Sequence, residues 1–76
     1  MEFLVQQRDP LSGFHEHEMT ENQMSGFLMG RGKQDAFTVQ EFIDDVHEGK
    51  VRARTFPYPT FYGEGTLTIK RGRLLA

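Results

Sequence analysis

The chain of 76 residues contains no cysteine. That removes disulfide staples and thiolate chemistry, and fits a reducing compartment. It also lacks any long apolar run. The N-terminal stretch Phe3-Leu4-Val5 is too short for a signal-peptide core or a membrane span. The expectation is a cytoplasmic location with no membrane partner. A nucleophilic set is missing too: Ser12 falls in a turn and Ser25 in a helical pattern, neither in a G-x-S-x-G setting. Gly30-Arg31-Gly32-Lys33 fails as a phosphate loop. Phe27 stands where the first glycine belongs and Gln34 where the magnesium-binding hydroxyl belongs. The reading is of a protein that is not an enzyme and needs no cofactor.

What is present suits one small domain spanning residues 1–76. The chain is 37% hydrophobic and 26% charged, in the range of a folded rather than a disordered chain. A domain this short buries only about 60% of its unfolded surface, so its stability margin is thin. The net charge of −2 hides an asymmetry. Residues 1–49 hold ten acids and three bases, whereas residues 50–76 hold six bases and one acid. Such a split marks either a polyanion-binding end or an internal match between an acidic helix and a basic sheet face.

The clearest element is the helix in Phe37 to Gly49. Thr38 and Glu41 have the spacing of a capping box, and Phe37 and Phe42 that of a hydrophobic staple. Val39, Phe42, Ile43 and Val46 fall at i, i+3, i+4, i+7 and form an apolar stripe. Gly49 occupies the left-handed stop. A second helix opens at Thr20, with Gln23 completing a capping box, Met19 and Met24 as a staple, and Gly30 as its end.

Glu2 to Arg8 and Phe14 to Met19 are predicted as a hairpin around the turn Asp9-Pro10-Leu11-Ser12-Gly13. Lys50 to Phe56 is predicted as a strand ended by Pro57 and Pro59, with Lys50, Arg52 and Arg54 on one face. Gly63-Glu64-Gly65 is predicted as a turn, and Thr66 to Arg71 as the last strand. Arg73-Leu74-Leu75-Ala76 either docks or frays. The order β-β-α-α-β-β defines an α+β domain, two short helices packed on a small, mainly antiparallel sheet. An exposed last strand would offer an edge for dimer formation. The oligomeric state is left open.

His15 and His17 project to one side of a strand, a pair able to share a metal ion with His47 as third ligand. A half-exposed strand with polar residues facing water is the favoured explanation, and no metal site is assigned. Glu41, Asp44, Asp45 and Glu48 read as a solvated helix face. Glu41, Asp45 and Glu48 form a candidate acidic surface for a basic partner.

Phe56-Pro57-Tyr58-Pro59-Thr60-Phe61-Tyr62 packs four aromatics and two prolines into seven residues. An extended loop accommodates the prolines. Phe56 and Phe61 are expected to face inward, Tyr58 and Tyr62 outward. Aromatics and arginines concentrate interface energy, so the candidate partner-binding residues are Tyr58, Tyr62, Arg52, Arg54, Arg71 and Arg73. The function that follows is a non-catalytic protein-binding module. The alternative is a binder of single-stranded RNA or other nucleic acid, using the basic aromatic C-terminal sheet.

With its small size, single cysteine-free domain, uneven charge and aromatic-rich segment, the chain resembles small phage-encoded inhibitors of host proteins. That resemblance implies stoichiometric inhibition by masking a host machine such as RNA polymerase or a CRISPR effector. Tyr58, Tyr62, Arg52 and Arg54 would then anchor the contact.

Overall fold

The computed structural model describes residues 2–72. Strands β1 (Glu2–Asp9) and β2 (Gly13–Thr20) form a hairpin. Helices α1 (Glu21–Gly30) and α2 (Ala36–His47) follow, then a second hairpin of β3 (Ala53–Thr60) and β4 (Gly63–Arg71). The four strands make one antiparallel sheet in the order β2-β1-β4-β3. This is the expected α+β domain of order β-β-α-α-β-β. The helices carry the chain from one edge of the sheet to the other and cover one face on the way.

Alternation decides which side chains meet the helices. Phe3 and Val5 of β1, Leu67 and Ile69 of β4, and Phe56 and Tyr58 of β3 point inward and are buried. They meet Met24 and Leu28 of α1 and the whole α2 stripe, Val39, Phe42, Ile43 and Val46. Phe42 sits at the centre, its ring edge-on to Phe56 at 5.4 Å and 6.3 Å from Phe3. Among the described residues no helix covers the opposite sheet face, which pairs Arg8 with Phe14, Gln6 with Glu16 and the buried Leu4 with Glu18 across β1 and β2.

α1 starts as its sequence requires. Thr20 Oγ1 accepts from the Gln23 backbone N–H, and Gln23 Oε1 accepts from that of Thr20. α2 starts earlier than its sequence spacing suggests. Asp35, not Thr38, is the N-cap, and its carboxylate accepts from the Thr38 N–H at 2.7 Å. Phe37 therefore lies inside the helix, roughly 160° round from Val39, and is 90% exposed rather than stapled to Phe42. Gly49 has the expected left-handed conformation, at φ 77°.

The third strand also departs from expectation. It begins at Ala53 and runs through both prolines to Thr60. A strand tolerates proline where its nitrogen faces away from the neighbouring strand, and β3 is an edge strand. Tyr58 therefore points inward, 3% exposed, whereas Phe61 is 96% exposed in the turn. Gly65 lies directly opposite Tyr58. A side chain there would meet Tyr58 Cζ at 2.6 Å, so the missing Cβ makes room for the ring. Gly63, Glu64 and Gly65 are strand, and the turn is Phe61-Tyr62. The last strand, β4, is central, flanked by β1 and β3, and offers no edge. Residues 73–76, with Arg73 and the two leucines, lie outside the described residues.

Candidate partner-binding surface

The turns of both hairpins lie at one end of the sheet, because the end of β1 runs beside the start of β4. In the first turn, Asp9 Oδ1 accepts from the backbone N–H of Leu11 at 2.8 Å and of Ser12 at 3.1 Å. Pro10 presets the turn backbone, and Gly13 leaves it at φ 83°. Leu11 is held outward, 69% exposed. In the second turn, Thr60 Oγ1 donates to the Gly63 carbonyl and accepts from the Tyr62 N–H at 3.2 Å. Phe61 and Tyr62 occupy the tip, their rings edge to face at 5.3 Å. Tyr62 is 63% exposed. The turns adjoin: a Cβ at Gly63 would lie 3.9 Å from Pro10 Cγ.

Phe14 extends this surface along β2, with the Arg8 guanidinium 4.6 Å above its ring. A depression of about 420 Å³ runs between them and Glu64. Asp9 lies beneath. The two backbone N–H bonds, with smaller help from the Tyr58 and Ser12 hydroxyls, hold its carboxyl below the ordinary value of 3.8. Tyr58 O–H donates to Asp9 Oδ2 at 3.1 Å and accepts from Gln7 Nε2 at 3.0 Å. The side chain expected as an outward anchor thus ties the core to the first turn.

The other expected anchors do not converge. Tyr62 is at the hairpin end. Arg52 and Arg71 line a depression at the far end of the sheet, roughly 25 Å away for a strand of this length. Arg54 turns to the helices and pairs with Asp45 at 3.3 Å and Glu41 at 3.6 Å. That contact is the internal match between acidic helix and basic strand. Of the acidic surface, Asp45 is largely engaged, Glu48 pairs with Lys50 at 3.0 Å, and Glu41 keeps most of its exposure. The Glu48 hydrogen bond, then the charges of Glu48 and Asp45, raise the Lys50 pKa above 10.5.

His15 and His17 do share a side of β2, their rings 6.4 Å apart, but His47 bonds Glu21 at 2.7 Å on a separate surface. No group of three or more His, Asp or Glu side chains able to hold a metal ion occurs among the described residues. In the Gly30–Lys33 loop, the Arg31 N–H is spent on the end of α1, donating to the Phe27 carbonyl. Gly32 donates to the Phe27 carbonyl, and its own Cα packs where a Cβ would strike Leu28 O and Leu67 Cδ1.

Phe61 and Leu11 escaped the sequence reading for different reasons. Leu11 is a single apolar residue in a turn. Phe61 follows two prolines that masked the strand, and locating that strand by alternation from Leu67 and Ile69 would have placed Phe61 in its turn. Among the described residues, no helix is long and apolar enough to cross a membrane. Comparison with protein-family models, curated proteins and solved structures gives no match.

Proposed function

We propose that this protein is a non-catalytic protein-binding module whose contact surface is the end formed by the two hairpin turns. The observation that carries the reading is the exposure of Phe61, Tyr62 and Leu11 on turns whose backbones are held by their own side chains. Large aromatics on a pre-ordered tip gain area on binding at little entropic cost. Interface energy concentrates on such residues. Arg8 stacked on Phe14 adds a charged margin. In line with the resemblance to small phage-encoded inhibitors, the partner is a host protein complex, and binding masks a working surface of it. Tyr62 remains an anchor from the sequence reading, with Phe61 and Leu11 taking the place of buried Tyr58 and ion-paired Arg54.

The RNA-binding alternative draws less support. Two of its four C-terminal aromatics, Phe56 and Tyr58, are in the core and unable to stack bases.

A pull-down from bacterial lysate, run with and without nuclease, tests the reading. The wild-type chain is expected to retain a protein complex that survives nuclease. The variant carrying Phe61→Ser and Tyr62→Ser is expected to lose it with an unchanged melting temperature, because neither ring belongs to the core. Capture abolished by nuclease, or undiminished in the double variant, would refute the proposal.

A further inference from the structure

The sheet has two edges, and the chain treats them differently. The Arg71 N–H donates to the Arg52 carbonyl at 2.9 Å, so even-numbered residues of β3 bond to β4. Ala53, Thr55, Pro57 and Pro59 therefore turn their backbones outward. Two of these four have no N–H. The Pro57 carbonyl is already taken by Gln34 Nε2 at 2.9 Å. Two missing N–H groups and one engaged carbonyl make this edge a poor template for an added strand.

At the other edge, the Gly72 N–H donates to the Glu2 carbonyl at 2.9 Å. Even residues of β1 thus bond to β4, and odd ones to β2. By the register of the hairpin, Phe14, Glu16, Glu18 and Thr20 then turn outward. The Thr20 N–H is held by Gln23. Phe14, Glu16 and Glu18 present their N–H and C=O groups on an edge with no proline and no neighbouring strand among the described residues. The charged side chains of these outward residues, Glu16 and Glu18, are both acidic, whereas Arg8 of β1 lies over the Phe14 ring at the hairpin end.

We infer that the outer edge of β2 accepts an extended basic segment of another protein, with lysine or arginine at alternate positions. Main-chain bonds to Phe14, Glu16 and Glu18 would supply affinity, as in other strand additions. Basic side chains opposite Glu16 and Glu18 would lie about 5 Å away and supply selectivity. The same glutamates repel acidic strands. They also disfavour a second copy, since antiparallel self-pairing centred on Glu16, on Glu18 or between them sets acid against acid. This edge shares Phe14 with the margin of the hairpin-turn surface, but it excludes the tips Phe61 and Tyr62, and the inference does not rest on them.

The test uses the full chain and a short blocked peptide alternating lysine with valine and threonine. Its twin carries N-methyl groups on alternate backbone nitrogens. Binding is measured by fluorescence anisotropy, and amide hydrogen exchange locates it. The unmodified peptide is expected to bind and to slow exchange at Phe14, Glu16 and Glu18. The N-methylated twin, equal in charge, is expected to bind at least about tenfold more weakly. Glu16→Pro, which removes an outward N–H and no ladder bond between strands, and of the side-chain bonds only the one from Gln6 Nε2 at 2.8 Å, is expected to cause a comparable loss without unfolding the chain. Should that variant unfold, the N-methylated peptide still decides. Equal binding of the two peptides would reduce the effect to bulk charge and overturn the inference. So would unchanged exchange at the three amides, or their protection by self-association without peptide.

Discussion

The Tyr58 hydroxyl stands between two partners, accepting from Gln7 and donating to Asp9. Gln7 is 8% exposed, so its amide has little access to water. Tyr58→Phe is expected to leave that amide unpaired and to cost about 1–3 kcal/mol. A lower urea midpoint at unchanged slope would register the loss. Replacing both partners, as Tyr58→Phe with Gln7→Leu, should recover part of it, because no buried donor is then left over. The sequence could not disclose this pairing. Gln7 and Tyr58 are 51 positions apart, and only the β1–β4–β3 order brings them together across Leu67 and Gly65.

At the scale of an element, α2 shows how one residue shifts a helix start. Aspartate and threonine both cap well, and the sequence holds one of each, three residues apart. Asp35 takes the role, and Thr38 becomes the donor to it. Asp35→Ala is expected to lower the melting temperature, whereas Thr38→Ala should change it little. Equal losses would return the cap to Thr38. The body of the helix was legible because the stripe Val39, Phe42, Ile43 and Val46 is periodic, and periodicity survives an error in the start. β3 was only half legible. Its prolines read as breakers, although an edge position with the nitrogen outward tolerates both. Edge or centre is not written in the strand itself.

For the whole molecule, two carboxyls anchor the start of α2 and the hairpin end of the sheet. Backbone N–H bonds, from Leu11 and then Ser12 to Asp9 and from Thr38 to Asp35, hold both below 3.8. Each binds its proton less readily folded than unfolded. The stability they contribute is therefore whole above the ordinary carboxylate range and is lost as pH falls through their folded values. Thermal melts between neutral pH and about pH 2 are expected to show a falling acid limb. Asp9→Asn with Asp35→Asn should flatten it, and a limb of unchanged slope would contradict this assignment. The same scale separates the expected site into its parts. Arg52 and Arg71 sit at one end of the sheet, Tyr62 at the other, and Arg54 folds back on Asp45.

The sequence by itself determined the α+β class, the order of elements, the α2 stripe, the capped start of α1 and the first hairpin. Each of these depends on near neighbours, whose spacing is written in the chain. Only the tertiary structure decided that β4 is central, that Tyr58 is buried and Phe61 exposed, and that β2 and β3 are the edges of the sheet, with the prolines on β3. Those outcomes depend on which strands lie side by side. That is set by how two hairpins and a helical pair bury their apolar faces together.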